Sequence, residues 1–457
     1  MQGMVAGVFA LWYSLPMRPL KSLTLETVIG KLSGAFRKIT DSRVVARVKY
    51  SLHDTLLSGF AMMFFQHPSL LQFQRQMEKK RGRCNLNTIF GVKAVPSDTQ
   101  MREILDGASP EPLRRLLPEL FESVRRAGWA NQYKTNLPSG KDQGDYYTMP
   151  LDGVEYFHST KIECPGCLKK TDKNGQTHYS HSIVGATLVK AGSHKIFPID
   201  AEEVRNPDGK DKQDCELNAG KRLIERFRSE HPQMQVIVGG DDLYAHEPFV
   251  KLLEEKGLRF VLVAKPESHQ ELFDWVEDLD RIGACERGEW KEGPACKRRF
   301  FEYRIARQGP IKAEGEVKVN FIEVWERDRE GKLLYHNSWI TDLDIDQENV
   351  AVIVRIGRSR WKIENEQFNV HKNGGYELEH NYGHGKQTLS MIFYLLNLLA
   401  FVTHLILEQG DRFYQKCREE ESLRELWNGL RGLVKTVLFE NWRAMLLLYL
   451  DQEEASP

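Results

Sequence analysis

Residues 146–160, YYTMPLDGVEYFHST, and residues 235–244, QVIVGGDDLY, decide how this chain is read. The first stretch is rich in aromatic residues and reads as one strand with Asp152 inside it. The second is a short apolar run that stops at two glycines and two aspartates, as a strand does where it meets a turn. Between them, 178–190 (HYSHSIVGATLVK) and 195–200 (KIFPID) read as two more strands, followed by a helix over 214–229. A further helix is expected from about 247 to 256. Three strands, a helix, a strand and a helix make an α/β unit in which a sheet can carry separated acidic residues to one place.

Working outward, residues from about 20 to 135 read as helices: Leu52 to Leu71, Thr99 to Leu105 after the start signal Pro96-Ser97-Asp98, and Pro110 to Ala127. The polar stretch 131–144 (NQYKTNLPSGKDQG) reads as a linker. Strand-like pieces recur at Phe260–Ala264, Phe300–Ala306, Val317–Trp325 and Leu333–Thr341, and Gln347 to Lys372 returns to a helical pattern. The expected organisation is a helical part over 1–140, an α/β core over 141–257 and 346–410, a β-rich insertion over 258–345, and a helical segment over 411–457.

Lys plus Arg and Asp plus Glu number 64 each, so the chain does not hold nucleic acid by overall charge, and any such contact must be local. Basic clusters stand at Lys79-Lys80-Arg81 with Arg83, at Lys297-Arg298-Arg299, and at Arg355, Arg358 and Arg360; the first two read as solvated faces. Seven widely spaced cysteines do not resemble a disulfide framework and fit a reducing compartment. Val5 to Tyr13 lacks a basic start and a small-residue cleavage site, so no signal peptide is expected, and Met17 is an alternative start. The apolar run Leu389 to Leu407 contains Ser390, Asn397, Thr403 and His404 and is expected to be a buried helix, with no membrane partner.

Asp152 in the first strand, Asp241 at the end of a later one and Glu364 on a late helix are carboxylates that a sheet could bring together. Acidic oxygens are what two Mg²⁺ ions about 3.5–4 Å apart need to drive an in-line displacement at phosphorus. Residue type alone leaves open Asp241 against Asp242. Glu364 and Glu366 point to different sides of a helix, so both cannot serve one site.

The stretch 360–368, RWKIENEQF, followed by Lys372, resembles the Arg-Trp-x-Ile-Glu-x-x-Phe signature of bacterial insertion-sequence transposases of the Asp-Asp-Glu class. In the large group with a β-rich insertion the helix pattern is Tyr-x2-Arg-x3-Glu-x6-Lys. Arg360 and Glu364 match it, Gly357 stands where the Tyr is expected, and Lys372 lies one residue late, behind His371. Pro150-Leu151-Asp152-Gly153, Gly240 to Tyr244 and 378–387 (LEHNYGHGKQ) also resemble family segments, as do 85–91 (NLNTIFG) and 96–102 (PSDTQMR).

The resemblance, which runs from about residue 50 to 408, implies an RNase H-like (retroviral-integrase-like) core interrupted by the insertion, with a helical N-terminal domain that helps recognise DNA ends. It implies a DNA transposase that cuts element ends and joins the freed 3′-OH to target DNA. Asp152, Asp241 and Glu364 would be the catalytic metal ligands, with two Mg²⁺ or Mn²⁺ per active site. The family's Asp-x-x-Tyr spacing selects Asp241, three residues before Tyr244. Arg360 and Lys372 would meet DNA; the plainer alternative for Arg360 is an ion pair with Glu364 one helical turn away. Trp361 reads as a core residue. The implied partners are double-stranded DNA, as terminal inverted repeats and target, and further copies of the chain in a homodimer or higher oligomer; the implied place is the bacterial cytoplasm, on the nucleoid when bound to DNA. The rival readings are an RNase H-like nuclease that never joins strands and an inactive DNA-binding derivative.

Cys164, Cys167, His178 and His181 follow a Cys-x2-Cys-x10-His-x2-His pattern, whose first half suits tetrahedral zinc. Its second half is shorter than usual, and residues three apart on a strand face opposite ways, so less than one zinc per chain is expected. Gly383-His384-Gly385-Lys386 lacks the spacing of a phosphate-binding loop. It reads as a turn whose His384 and Lys386 touch DNA.

Overall fold

The computed structural model describes residues 23–44, 48–205, 214–312, 315–380, 382–419 and 421–454. The apolar start, Val5 to Tyr13, and Met17 lie outside them.

The first part of the chain is helical: α1 (Leu25–Phe36), α2 (Leu52–Phe64), α3 (Leu70–Met77), α4 (Lys80–Phe90), α5 (Asp98–Leu105), α6 (Glu111–Arg114) and α7 (Leu116–Arg126). Side-chain caps start several of them, with Ser51, Ser69 and Ser97 each accepting from the backbone N–H three residues on. The expected linker contains a strand, β1 (Lys134–Leu137), antiparallel to β2 (Gly144–Ser159). There follow β3 (Leu168–Thr171), β4 (Thr177–Val189), β5 (Ile196–Val204), α8 (Glu216–Glu230), β6 (Val236–Gly240), α9 (Glu247–Glu255) and β7 (Arg259–Val263).

The strands β2, β4 and β5 form an antiparallel meander. After α8 the chain returns to lay β6 parallel to β2, and after α9 it lays β7 parallel to β6. The region read as an insertion contributes α10 (Gln270–Arg281), β8 (Glu286–Glu292), β9 (Arg299–Pro310), β10 (Lys318–Arg327) and β11 (Leu333–Thr341). These strands extend the same sheet, because β11 pairs with β7; an eleven-stranded mixed sheet results. Its first strand-like piece, 260–264, is largely β7 and is bonded to β6 of the core.

The sheet is covered on both faces, as the period of two along each strand requires. On β6, Ile237 faces one hydrophobic cluster while Val236 and Val238 face the other. On β7, Val261 and Val263 face the first and Phe260 and Leu262 the second. The first cluster is closed by α11 (Val350–Arg358) through Ile353, Val354 and Ile356. The second is continuous with the N-terminal helices, so these are built into the core.

Beyond α11 come a π-helical segment, Ile363–Phe368, then α12 (Asn369–Asn373), α13 (Leu389–Gly410), α14 (Arg412–Glu419), α15 (Leu423–Thr436) and α16 (Trp442–Glu454). Among the described residues α13 alone is long and apolar enough to cross a membrane, and it lies inside the protein with most of its residues buried. It packs on α2 and β5. Its N-terminus is capped from elsewhere: the Asp106 carboxylate accepts the backbone N–H groups of Lys386, Gln387, Thr388 and Leu389 at 2.8–3.2 Å.

Candidate functional site

The parallel pairing of β2 and β6 sets Pro150 beside Gly239. Two residues further along each chain stand Asp152 and Asp241, so the register carries both aspartates side by side past the end of β6. The sequence between them forms the meander through β5 and the return through α8 that makes this pairing parallel, which is why residues far apart in sequence meet.

Asp241 caps a short 3₁₀ turn, accepting from the Leu243 N–H at 3.0 Å. Its neighbour Asp242 is turned into the structure, where it accepts from the Lys265 N–H at 2.7 Å and lies 3.3 Å from His269 Nε2. A carboxylate so engaged caps a loop, which leaves Asp241 as the one beside Asp152.

Glu364, Asp152, Arg360 and Lys372 line one open cleft. Glu364 is exposed there, whereas Glu366 points away and meets His194 Nδ1 at 2.7 Å. Arg360 reaches across to the strand rather than along its own helix, with Nη1 3.2 Å from Asp152 Oδ2. The other two arginines of this basic run are occupied elsewhere: Arg355 pairs with Glu292, and Arg358 pairs with Glu326 over the Tyr335 ring. Lys372 holds Glu379 at 2.8 Å on the cleft's rim.

The π-helical turn accounts for the spacing of this segment. Phe368 stands one residue further from Glu364 than in Arg-Trp-x-Ile-Glu-x-x-Phe, and Lys372 one further than in Tyr-x2-Arg-x3-Glu-x6-Lys. A π turn absorbs one extra residue in a helix. Phe368 therefore still packs inward against Gly185, and Lys372 still faces the cleft. Trp361, read as core from the sequence, is 41% exposed, with the Lys362 ammonium 4.7 Å from its ring centre. The helix turns its apolar side, Ile363 and Phe368, to the sheet, so Trp361 is left outside.

Gly357, where the family pattern has Tyr, lies against the fully buried Trp339: a Cβ there would come 2.6 Å from the indole Nε1. The indole fills the space a larger residue would need. Gly357→Ala is expected to cost about 1–3 kcal/mol by forcing that ring or the helix aside. Urea denaturation measures it, and a cost below about 0.5 kcal/mol would mean the contact is easily relieved.

A fourth carboxylate, missed by the sequence reading, completes the acidic cluster. Glu216 opens α8 and accepts from the Tyr244 hydroxyl at 2.9 Å. It lies over the residue after Asp152, where a Cβ on Gly153 would come 2.4 Å from Glu216 Oε2 and push this carboxylate aside. Burial raises the Glu216 pKa, with Asp241 adding to it and the Tyr244 hydrogen bond opposing. Asp152 is raised to about 6, first by burial and then by Asp241 and Glu216, while Arg360 pulls the other way. Several acidic groups crowded in a half-buried place resist ionising together, and a cation would relieve this. Nothing in the sequence marks Glu216, since an acidic first-turn residue is ordinary in any helix.

The cysteine pattern is resolved differently from its sequence reading. Cys164, Cys167 and His181 converge, but His178 does not join them: it faces Asp172 and His158 at 3.4 and 3.1 Å. Three positions apart on β4, the two histidines point to opposite faces, as a strand requires. The fourth member of the group is His384, turned inward and 6% exposed rather than facing solvent; Lys386 is exposed.

No family model matches the chain, and no curated protein matches it either.

Proposed function

We propose that the chain is a DNA transposase of the Asp-Asp-Glu class with an RNase H-like core, acting on double-stranded DNA as an assembly of two or more copies. The observation that carries this reading is the pairing that sets Asp152, within β2, beside Asp241, just past the end of the parallel strand β6, with Glu364 lining the same open cleft as Asp152. The sheet order β5-β4-β2-β6-β7, an antiparallel meander followed by two parallel strands, supports the RNase H-like assignment.

The donors fit hard divalent cations, being carboxylate oxygens with room for water and phosphate, and Asp152, Asp241 and Glu364 would hold Mg²⁺ or Mn²⁺. When bound, such ions supply activation of the attacking oxygen and neutralise charge on the phosphate. Glu216 sits behind the aspartates and orients them through its shared contact with Gly153 and Tyr244. The cleft's cations do the remaining work of binding. Arg360 offers a planar fork suited to a phosphate beside Asp152, and Lys372 offers a point charge further along. The exposed face of Trp361 supplies a surface for a base or sugar displaced near the cut. Because the chain has no net charge, this local set is what attracts the DNA backbone.

The test is a strand-transfer assay with pre-cut element ends and supercoiled target DNA. Joined products from the wild-type chain, absent from Asp241→Asn, are expected. Cutting without joining would reassign the chain as a nuclease.

Arg360 separates gripping from mere neutralisation. If it only balances the charge of Asp152, Lys keeps that function. If it grips phosphate, Lys loses the fork. Arg360→Lys is expected to keep its melting temperature and lose at least about tenfold in cleavage rate, ~1.4 kcal/mol of transition-state stabilisation. Cleavage at the wild-type rate would return Arg360 to a charge-balancing role.

A further inference from the structure

We infer that Cys164, Cys167, His181 and His384 form a structural zinc site that fastens the loop after the Glu364 helix to the strand ribbon beyond Asp152. All four side chains are buried, and their donor atoms lie within 4.8 Å of one another. Five of the six separations have the right lengths for the edges of a tetrahedron. The two sulfurs are 3.7 Å apart, His181 Nε2 is 3.4 and 3.5 Å from Cys164 and Cys167, His384 Nε2 is 3.2 Å from Cys167, and the two Nε2 atoms are 3.1 Å apart. Zinc with Zn–S of about 2.3 Å and Zn–N of about 2.0–2.1 Å at tetrahedral angles gives edges of about 3.8, 3.5 and 3.3 Å. The sulfurs are too far apart for a disulfide bond, which needs about 2.05 Å.

The backbone is shaped for the same purpose. Cys164 and Cys167 form a tight knuckle, with the Cys167 N–H donating to the Cys164 carbonyl at 3.1 Å and the Cys164 N–H to the Cys167 sulfur at 3.3 Å. His384 Nδ1 lies 2.9 Å from the Gly385 carbonyl, so it carries the proton and leaves Nε2 free to ligate. His181 Nδ1 lies 3.6 Å from the Glu203 carboxylate, which faces the outer side of this ligand. Phe157 packs tilted against the His384 ring, with centres 4.4 Å apart, and Tyr156 stacks on His181.

The ligand class follows from the donors. Two thiolates and two neutral imidazoles balance a doubly charged ion, and sulfur rejects Mg²⁺ and Ca²⁺. Four protein ligands leave no open position, so the site is structural rather than catalytic. Its ligands come from the β2–β3 loop, from β4 and from the loop before α13, with His384 203 residues after His181. The metal therefore joins segments that only the fold brings together. With the Asp106 cap on the following residues, it holds the turn between the Glu364 helix and α13 in place.

The test uses the full chain purified under reducing conditions without chelator. About one zinc per chain is expected by elemental analysis. His384→Ala and Cys167→Ser should retain less than about a tenth of that, while His178→Ala keeps it all. Because a ligand variant could fail to fold, alkylation of the wild-type chain gives a second reading. Cys164 and Cys167 should resist iodoacetamide until a strong zinc chelator is added, while the exposed Cys215 and Cys296 react at once. Cobalt added to the chelated chain should give the visible absorption of a tetrahedral site with thiolate ligands. A zinc-free chain that takes up neither zinc nor cobalt after reduction would overturn the assignment, as would full zinc in His384→Ala or loss of zinc in His178→Ala.

Discussion

Asp152→Asn, Asp241→Asn and Glu364→Gln are each expected to lower Mg²⁺-dependent DNA cleavage by at least about a thousandfold, ~4 kcal/mol in barrier, with DNA binding nearly kept. Binding survives because the cations that meet phosphates are other residues. Asp242→Asn should keep most of its activity, since that carboxylate is engaged with Lys265 and His269. Full cleavage by one of the three variants would remove its residue from the site.

Asp152→Asn carries a second, opposite expectation. In the folded chain the Asp152 carboxyl ionises near pH 6, against 3.8 for an ordinary aspartate. The folded state thus holds this proton more tightly than the unfolded one, and ionisation weakens folding. The penalty is absent below about pH 4, grows between 4 and 6, and is constant above. Asn removes it. In magnesium-free buffer at pH 8 the variant should be more stable than the parent by about 1–3 kcal/mol, and the difference should vanish toward pH 4. An inactive variant that is also less stable at pH 8 would indicate damage to the fold rather than loss of a ligand.

Arg114→Met is expected to be the most destabilising single change, at about 3–5 kcal/mol. Arg114 on α6 is buried and meets Asp200 of β5 at 3.0 Å, Glu230 of α8 at 2.6 Å and Glu111 at 2.9 Å. Asp200 is 2% exposed, and its other close partner is Arg226 at 3.0 Å. Removing Arg114 strands part of that charge in a dry place and unfastens the helical region from the sheet that carries the acidic residues. Urea denaturation should give the loss, and Asp200→Leu in the same chain should recover part of it, because the most deeply buried stranded charge goes with it and Arg226 keeps Glu202. A single-variant cost below about 1 kcal/mol would mean water reaches the network.

Much of the fold was legible because it is written in local periodicity. The strands around Asp152, His181 and Asp241 and the helices that follow Asp214 and His246 differ from their expected bounds by a few residues. The joint between Val261 and Thr341 was not legible: pairing of β7 with β11 closes over α10 and β8 to β10, and no local pattern announces a partner. That is why Arg259–Val263 reads as the start of an insertion although it is bonded to β6. Leu168–Thr171 was missed because it is short and lysine-rich and three of its four residues are exposed.

The site divides in the same way. Asp152 in a strand, Asp241 at a strand end and Glu364 on a late helix could be picked out from the sequence and its resemblance, and the geometry separates Asp241 from Asp242 by what each touches. Glu216 and His384 are visible only in three dimensions, since their significance lies wholly in neighbours distant along the chain. The π turn explains an apparent defect in spacing at Lys372, which no 3.6-residue reading can accommodate. Gly357 has a local cause as well, the Trp339 indole lying against it.

The most direct test of the acidic cleft as a DNA-cleaving centre is to incubate the full chain with a duplex library of candidate element ends and to map breaks with and without Mg²⁺. Breaks that leave a 3′-OH, require Mg²⁺ or Mn²⁺, and disappear in Asp241→Asn are expected. Breaks that persist in Asp241→Asn, or an intact library after incubation of the wild-type chain with Mg²⁺, would contradict the assignment.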